Sequence, residues 1–306
     1  MQEIKIFSPA TVANLSCGFD VLGCCMDEVG DEMRIVKNDL QKVRITKISG
    51  QELPMEATKN VAGVAAMALL DHLREKQGFD IEIDKKITVG SGIGSSSASA
   101  AGAVFGVNKL LGEPLSRSEL IPFAMEGERL ASGNAHADNV APALLGGFSL
   151  VRSYDPFEVI SLPTPPELRI VVLHPLIEIK TKDSRSIIKH QVSLKKAIKQ
   201  WGNLGAFVSA LHTSDYDLLG RSLQDEIVEP IRSILIPYFS ELKKTALENG
   251  ALGFGISGSG PSVFSLCKGQ ENAQRVKEAI NEFYRDKGIE FDLHLSKVNP
   301  EGIRII

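Results

Sequence analysis

The sequence lacks the features that would place the chain in a membrane, in an oxidising compartment or on a structural metal. No segment has the eighteen consecutive apolar residues that a membrane-spanning helix needs. Cysteine occurs at positions 17, 24, 25 and 267. The adjacent Cys24 and Cys25 cannot easily bridge each other, and no CxxC pair or cysteine–histidine spacing indicates zinc. We therefore expect no membrane partner, no disulfide framework and no structural zinc.

A strong charge imbalance is also missing. The formal net charge is -4 and the pI is about 5.9, whereas a nucleic-acid-binding surface shows clustered Lys and Arg, so no nucleic-acid partner is expected. With 43% hydrophobic residues, the 306-residue chain can build one large domain or two closely packed ones. The strand-like segment 3–7 opens the chain in place of a charged leader, which favours a cytoplasmic protein.

A glycine- and serine-rich stretch is the most informative segment that is present. Its residues run Val89, Gly90, Ser91, Gly92, Ile93, Gly94, Ser95, Ser96, Ser97, Ala98, Ser99. Glycines let the backbone turn sharply, and the apolar helix that follows offers unpaired N–H groups at its start. Together these features predict a phosphate cradle, although neither Walker A nor GxGxxG spacing is present. The alternative is an ordinary turn ahead of a helix.

The remaining pattern mixes strands and helices. Strands are expected at 43–48, 79–83, 168–173, 252–256, 263–266 and 289–294, and helices at 60–76, 98–111, 116–130, 192–211, 231–248 and 272–287. The second half predicts an antiparallel sheet with helices on one face. Proline and polar residues near 155 indicate a domain boundary there, between 1–155 and 156–306.

Two further motifs accompany the central loop. Residues 8–23 read SPATVANLSCGFDVLG, and residues 253–262 read GFGISGSGPS. With the central loop they resemble the three ordered motifs of the GHMP kinases, and the first motif together with HADNVAP at 136–142 is similar to the homoserine kinase branch. Thr88 stands where that family often has proline. The resemblance implies an α+β fold of two domains, an ATP-binding domain like ribosomal protein S5 domain 2 and a ferredoxin-like C-terminal domain, with the active site between them.

The resemblance also assigns roles to residues. It implies ATP and Mg²⁺ as cofactors, with Ser96 and Glu128 as metal ligands. Glu126 is the nearby alternative carboxylate. Ser96 could instead be only a helix cap. Phosphate or adenine contacts fall on the stretch 89–99, on Gly258 and on Asn60, which could equally be only a helix cap. The substrate, L-homoserine, is expected to contact Asn14, Asp20, His136, Asp138, Asn139, Thr181, Arg185 and Arg232. Either Asp20 or Asp138 would bind its ammonium group.

One departure from other GHMP kinases concerns the general base. Many members carry a catalytic Asp and a Lys near the first motif, and those positions hold Asn139 and Thr11 here. Neither side chain acts as a base at neutral pH, a trait that resembles homoserine kinases rather than mevalonate-type enzymes. The alternatives are a GHMP kinase acting on another small alcohol and a non-catalytic binding protein of the same fold. The protein partner that we consider is a second copy of the chain, which would form a homodimer.

Overall fold

The computed structural model describes residues 1–177, 184, 187–188 and 191–306. Thr181 and Arg185 lie outside these described residues. The described strands are β1 Glu3–Ala13, β2 Leu22–Asn38, β3 Val43–Ser49, β4 Gly78–Asp84, β5 Phe148–Tyr154, β6 Phe157–Leu162, β7 Leu168–Pro175, β8 Ala251–Ile256, β9 Val263–Lys268, β10 Phe291–Lys297 and β11 Arg304–Ile305.

The described α-helices lie between these strands, singly or in runs of three and four. They are α1 Val61–Leu73, α2 Ser95–Leu110, α3 Ile121–Ser132, α4 Val140–Leu145, α5 Leu194–Thr213, α6 Tyr216–Ser222, α7 Glu229–Arg232, α8 Phe239–Glu248 and α9 Gly269–Arg285. The mixed content is α+β, as expected. No helix in the described part of the chain combines the length and apolar character needed to cross a membrane.

The first sheet of the described chain has the order β11-β1-β2-β4-β3, with β5 on the far part of β2 and β6 on β5. Its strands alternate: in β1, Ile4 and Ile6 are buried while Glu3 and Lys5 are exposed. The buried side chains pack in one core with α1, α2, α3 and α4. This core fixes the helix that follows the glycine loop. α2 can approach the sheet closely, since a Cβ at Gly102 would lie 2.3 Å from the Met33 sulfur.

The second sheet has the order β10-β7-β9-β8 and is antiparallel throughout. One face packs against α8 and α9, as expected. The expectation of helices on one face only was wrong, because alternate residues such as Val172 and Leu266 pack on the other side with Phe207 of α5 and Leu219 of α6. A sheet covered on both faces needs apolar residues on both, which is why the central strands β7 and β9 are almost entirely buried, whereas the edge strand β10 is mostly half-buried.

Most predicted elements are confirmed, and two helix predictions were wrong in extent. The helix expected from 116 begins at Ile121, because Glu119 binds the Ser116 amide and hydroxyl in a local turn and Pro122 suits the first helical turn. The helix expected over 231–248 is broken by Pro237 and by Tyr238, whose φ is 59°. The boundary at 155 stays a prediction; β6 and β11, which follow it, pair in the first sheet.

Candidate active site

A cavity of about 240 Å³ gathers residues from all three motifs, from the segment 136–142 and from around Glu128 and Arg232. Residues 8–23, the glycine loop, α3, the start of α4 and the turn after β8 each contribute to its wall. The predicted residues on the wall are Asn14, Asp20, Val89, Gly90, Gly92, Gly94, Ser95, Ser96, Ser97, Glu128, His136, Asp138, Asn139, Arg232 and Gly258. Residues more than 240 positions apart thus meet in one site.

The glycine loop lies on this wall and leads directly into α2. Gly90, Gly92 and Gly94 have φ values of 76°, 85° and 72°, a left-handed conformation that favours glycine. Gly94 is the residue before the helix, so the first N–H groups of the 16-residue α2 lie at the cavity beside Ser95, Ser96 and Ser97. A helix start of this kind attracts negative charge. The geometry fits the phosphates of a nucleotide.

The turn after β8 holds the loop in place. The Ser257 hydroxyl donates to the Gly92 carbonyl at 2.8 Å, and the Ser262 amide donates to the Ser91 carbonyl at 3.2 Å. A Cβ on Gly92 would lie 2.7 Å from two carbonyl oxygens of this turn, so only glycine fits the contact. From the other side, the Thr11 amide donates to the Ile93 carbonyl. The turn after β8, which belongs to the motif at 253–262, therefore holds the glycine loop in position.

Glu128 of α3 presents a buried carboxylate to the loop. The residue is 8% exposed, and its Oε1 atom has no hydrogen-bond partner among the described residues. Burial raises the pKa of Glu128, while the nearby Ser96 and Ser97 hydroxyls and the Lys85 ammonium act in the opposite direction. A buried carboxylate with one unpaired oxygen is costly, and a cation bound there would offset the cost.

The donor set fits a hard cation such as Mg²⁺. Mg²⁺ takes hard oxygen ligands and usually needs one or two protein groups besides phosphates and waters. Glu128 and Ser96 offer a carboxylate and a hydroxyl on one wall. Among the described residues, no group of three or more His, Cys, Asp or Glu side chains could hold a metal ion. A cation at Glu128 and Ser96 would therefore also need ligands from phosphates and water.

Thr11 and Asn139 meet although 128 positions separate them. The Thr11 hydroxyl donates to the Asn139 side-chain oxygen at 2.7 Å. A Cβ on Gly94 would lie 2.1 Å from the Thr11 hydroxyl and 3.1 Å from the Asn139 oxygen, so the pair packs directly against the start of α2. The two positions that resemblance singled out thus form a neutral hydrogen-bonded pair beside the loop.

The motif at 8–23 forms a left-handed turn on the part of the cavity wall that carries Asn14 and Asp20. Asn14, Leu15, Ser16 and Asp20 all have positive φ. The Asn14 side chain fixes the turn, because its oxygen accepts from the Asp20 amide at 3.0 Å and its Nδ2 donates to the Gly258 carbonyl at 2.7 Å. Backbone strain of this kind is kept at functional sites.

Asp20 and His136 approach each other across the cavity, with Asp20 Oδ1 and His136 Nδ1 3.9 Å apart. Tyr154, which the sequence analysis missed, joins the two segments: its hydroxyl accepts from the Ala137 amide at 3.2 Å and donates to the Asp20 carbonyl at 3.3 Å. A tyrosine near the end of a strand carries no local signal of such a bridge, so only the folded chain shows it.

Arg232 lies buried on the same side, 3% exposed. Its Nε donates to the Ser184 carbonyl at 3.1 Å, and its Nη1 donates to the Gly258 carbonyl at 3.0 Å. The guanidinium also lies over the Phe19 ring, 5.2 Å from its centroid. These contacts hold a fixed cation on the cavity wall. Its suggested companions, Thr181 and Arg185, lie outside the described residues, so their roles stay predictions.

Other predicted nucleotide contacts lie off this wall. Ser91, Ile93, Ala98 and Ser99 are at most 2% exposed and support the loop from below. Asn60 caps α1, with its oxygen accepting from the Ala62 amide at 3.0 Å and its nitrogen donating to the Pro54 carbonyl. Contact of these residues with a nucleotide stays a prediction.

Comparison with known proteins agrees with this geometry. Residues 60–147 match the GHMP kinases N terminal domain, and residues 207–286 match the GHMP kinases C terminal family. The homoserine kinase of Chloroherpeton thalassium is 44% identical, covering 100% of both chains. That of Methanococcus vannielii is 38% identical over 93% of this chain and 94% of its own.

Solved structures give the same picture. A crystal structure of homoserine kinase from Cytophaga hutchinsonii has a TM-score of 0.96 at 50% identity, covering 100% of this chain and 98% of that chain. A mevalonate kinase from L. major, at 16% identity and a TM-score of 0.73 over 96% of each chain, shares the fold. The GHMP kinase fold expected from the motifs is thereby confirmed, and the chain belongs to the homoserine kinase family of the GHMP kinases.

Proposed function

We propose that this protein transfers the terminal phosphoryl group of ATP to the side-chain hydroxyl of L-homoserine, giving O-phospho-L-homoserine for threonine biosynthesis. The observation that carries the proposal is the meeting of three groups in one cavity: the loop before α2, the Glu128 carboxylate and the polar acceptor wall around Asp20 and Arg232. The relatives at 38–44% identity are named homoserine kinases, which supports the choice of acceptor.

The loop and the start of α2 are the proposed binding site for the ATP phosphates. Backbone N–H groups and the helix dipole favour phosphate there. The contacts from Thr11, Ser257 and Ser262 keep the loop in its turn before a ligand arrives, so little ordering is needed upon binding.

Ser96 and Glu128 are the proposed Mg²⁺ ligands. A bound Mg²⁺ would neutralise phosphate charge during transfer. The Glu128 carboxylate lies on the cavity wall with the loop, and its Oε1 atom would be available to a cation. The Glu128 charge therefore serves to hold the cation where the phosphates bind.

Arg232 is the proposed partner of the substrate carboxylate. A guanidinium forms paired hydrogen bonds with a carboxylate, and the contacts of Arg232 with Ser184 and Gly258 fix its plane. Arg185 and Thr181 are proposed to assist. Asp20 or Asp138 is proposed to bind the ammonium group, and both lie on the cavity wall.

Transfer is proposed to be direct and to need no protein general base. In the loose transition state of phosphoryl transfer the acceptor oxygen forms little bond, so its proton need not leave early. The Thr11–Asn139 pair is neutral, and Asn139 is proposed to orient the acceptor hydroxyl rather than to take its proton. A covalent intermediate on Cys17 is disfavoured, because burial raises the pKa of that thiol to about 12.

Two remaining parts of the proposal are the location of the protein and its assembly. All four cysteines are free thiols, which supports a cytoplasmic location. Assembly as a homodimer stays a prediction.

Product analysis tests the proposed function. The purified protein is incubated with MgATP and L-homoserine, and the product is identified by mass spectrometry and ³¹P NMR. We expect ADP and a phosphate ester on the side-chain oxygen in equal amounts, and no turnover with norvaline, which lacks the hydroxyl. ADP release that is equal with and without homoserine would contradict the proposal.

A further inference from the structure

A buried ion pair lies beneath the glycine loop, and beyond the electrostatic effect of Lys85 on Glu128 it has been given no role above. The side chains of Lys85 and Asp31 are 1% and 0% exposed, and Lys85 Nζ contacts Asp31 Oδ2. The same ammonium donates to the Ser95 carbonyl at 2.6 Å and to the Ser99 hydroxyl at 3.1 Å. A strand-end lysine therefore reaches into the first turn of α2.

Asp31 of β2 holds the other end of the loop. Its Oδ1 accepts from the amides of Lys86 and Ile87, each at 2.9 Å. The Ile87 carbonyl in turn accepts from the Ser95 hydroxyl at 2.9 Å. The two ends of the loop, at 85–87 and at 95–99, are thus tied to one carboxylate and one ammonium.

Stability alone does not explain this arrangement. Burial lowers the pKa of Lys85. Removing two charges from water costs free energy, and a buried ion pair is often no more stable than apolar residues of the same size. The pair does, however, fix where α2 begins. Ser96 and Ser97 follow Ser95 directly and lie on the cavity wall with Glu128.

We propose that Lys85 and Asp31 are positioning residues of the phosphate loop, which set the first turn of α2 so that its N–H groups and Ser96 face the nucleotide and the metal ion. The inference rests on the proposed function for the identity of the ligand. The pair acts through Ser95 and Ser99 and does not touch the substrate. Without the pair, the loop and the first turn of α2 would no longer be held in this position.

The chain carries a matched control pair one residue further along both segments. Lys86 contacts Glu32, and these side chains are 50% and 47% exposed. No hydrogen bond from the Lys86 side chain to α2 occurs among the described residues. The Lys86–Glu32 pair therefore has the same charges on the same two segments but no described tie to the helix.

The test compares the double variants Asp31→Asn/Lys85→Met and Glu32→Gln/Lys86→Met. Both charges are removed together because a lone buried carboxylate would destabilise the fold. The Asp31→Asn change keeps a side-chain oxygen that can accept from the two amides. Binding of MgADP is measured by calorimetry without homoserine, KM values are measured for ATP and homoserine, and thermal unfolding shows whether each variant folds.

We expect the Asp31/Lys85 variant to unfold within a few degrees of the parent, to bind MgADP at least about tenfold more weakly and to raise the KM for ATP similarly. The KM for homoserine should change less than about twofold, and the Glu32/Lys86 variant should match the parent. Parent-like MgADP binding by a folded Asp31/Lys85 variant would overturn the inference, as would equal losses in both variants.

A second variant decides the matter if the Asp31/Lys85 variant does not fold. Ser99→Ala removes one hydrogen-bond partner of Lys85 and leaves the ion pair. We expect it to fold and to weaken MgADP binding about two- to fourfold, and unchanged binding would overturn the inference. The proposed function fails separately, if the parent binds MgADP but does not phosphorylate homoserine.

Discussion

Replacing Glu128 by glutamine should reduce turnover strongly and leave the shape of the site intact. Gln keeps the volume of the buried side chain but removes the charge beside Ser96 and Ser97. A metal ion contributes several kcal/mol of charge stabilisation in the transition state. We expect kcat to fall at least about a hundredfold, which corresponds to about 2.7 kcal/mol.

The same variant should be more stable than the parent when no ligand is bound. Burial raises the pKa of Glu128, so the folded protein binds this proton more tightly than the unfolded chain. The parent therefore loses stability as the pH rises from the unfolded value of about 4.3 through the folded value, and the glutamine variant does not. We expect Tm(variant) minus Tm(parent) to be positive at neutral pH and to become smaller as the pH falls to the unfolded value of about 4.3.

Adding Mg²⁺ and ADP should reverse the order. A ligand that binds only the folded state stabilises it in proportion to its affinity. The parent should gain more Tm than the variant upon addition of MgADP. The thermal measurement thus tests the metal site without relying on activity.

Glu126 provides the matched control on the same helix. Its side chain is 42% exposed and pairs with Arg129 at 3.1 Å, away from the loop. Glu126→Gln should change kcat, Tm and the response to MgADP little. Equal losses of turnover in the two variants, or a Glu128 variant with parent-like turnover, would refute the metal assignment.

Four further variants test the residues proposed to bind homoserine. Arg232→Lys should weaken homoserine binding by roughly 1.5–3 kcal/mol with little change in ATP affinity; if the variant prefers homoserine over an alcohol without the carboxylate as strongly as the parent does, Arg232 does not bind the carboxylate. Asn139→Ala should reduce kcat by less than the roughly 10²–10⁴-fold cost of removing a general base, and His136→Gln should change the KM for homoserine more than kcat. A kcat lower by about three decades in His136→Gln, with loss of an acid limb in the pH profile, would make His136 the base. Tyr154→Phe should raise the KM for homoserine about two- to tenfold while the KM for ATP stays unchanged, and a parent-like KM for homoserine would show that the bridge is dispensable.

Much of the site was predictable because many of its residues belong to short motifs that are contiguous in the sequence. The alternation of Gly90, Gly92 and Gly94 before a serine run predicted a sharp turn and a helix start, and the structure has both. The separation of Glu128 from Glu126 came from resemblance alone. Burial of one and exposure of the other give that choice a physical basis.

The contacts that the sequence did not reveal are long-range and lack a local pattern. Lys85 reads as one of two adjacent surface lysines, yet it is buried because β2 supplies Asp31 from 54 positions away. The Thr11–Asn139 hydrogen bond spans 128 positions. Periodicity reports which face of an element is buried, but not which polar side chain on another element meets it.

The measurement that tests the central claim most directly is a comparison of kcat/KM for the purified protein with ATP and four alcohols: homoserine, mevalonate, galactose and shikimate. If the Arg232 cation and the acidic wall at Asp20 and Asp138 select an amino acid, homoserine should be phosphorylated far more efficiently than the other three. Turnover of mevalonate with no turnover of homoserine would contradict the account.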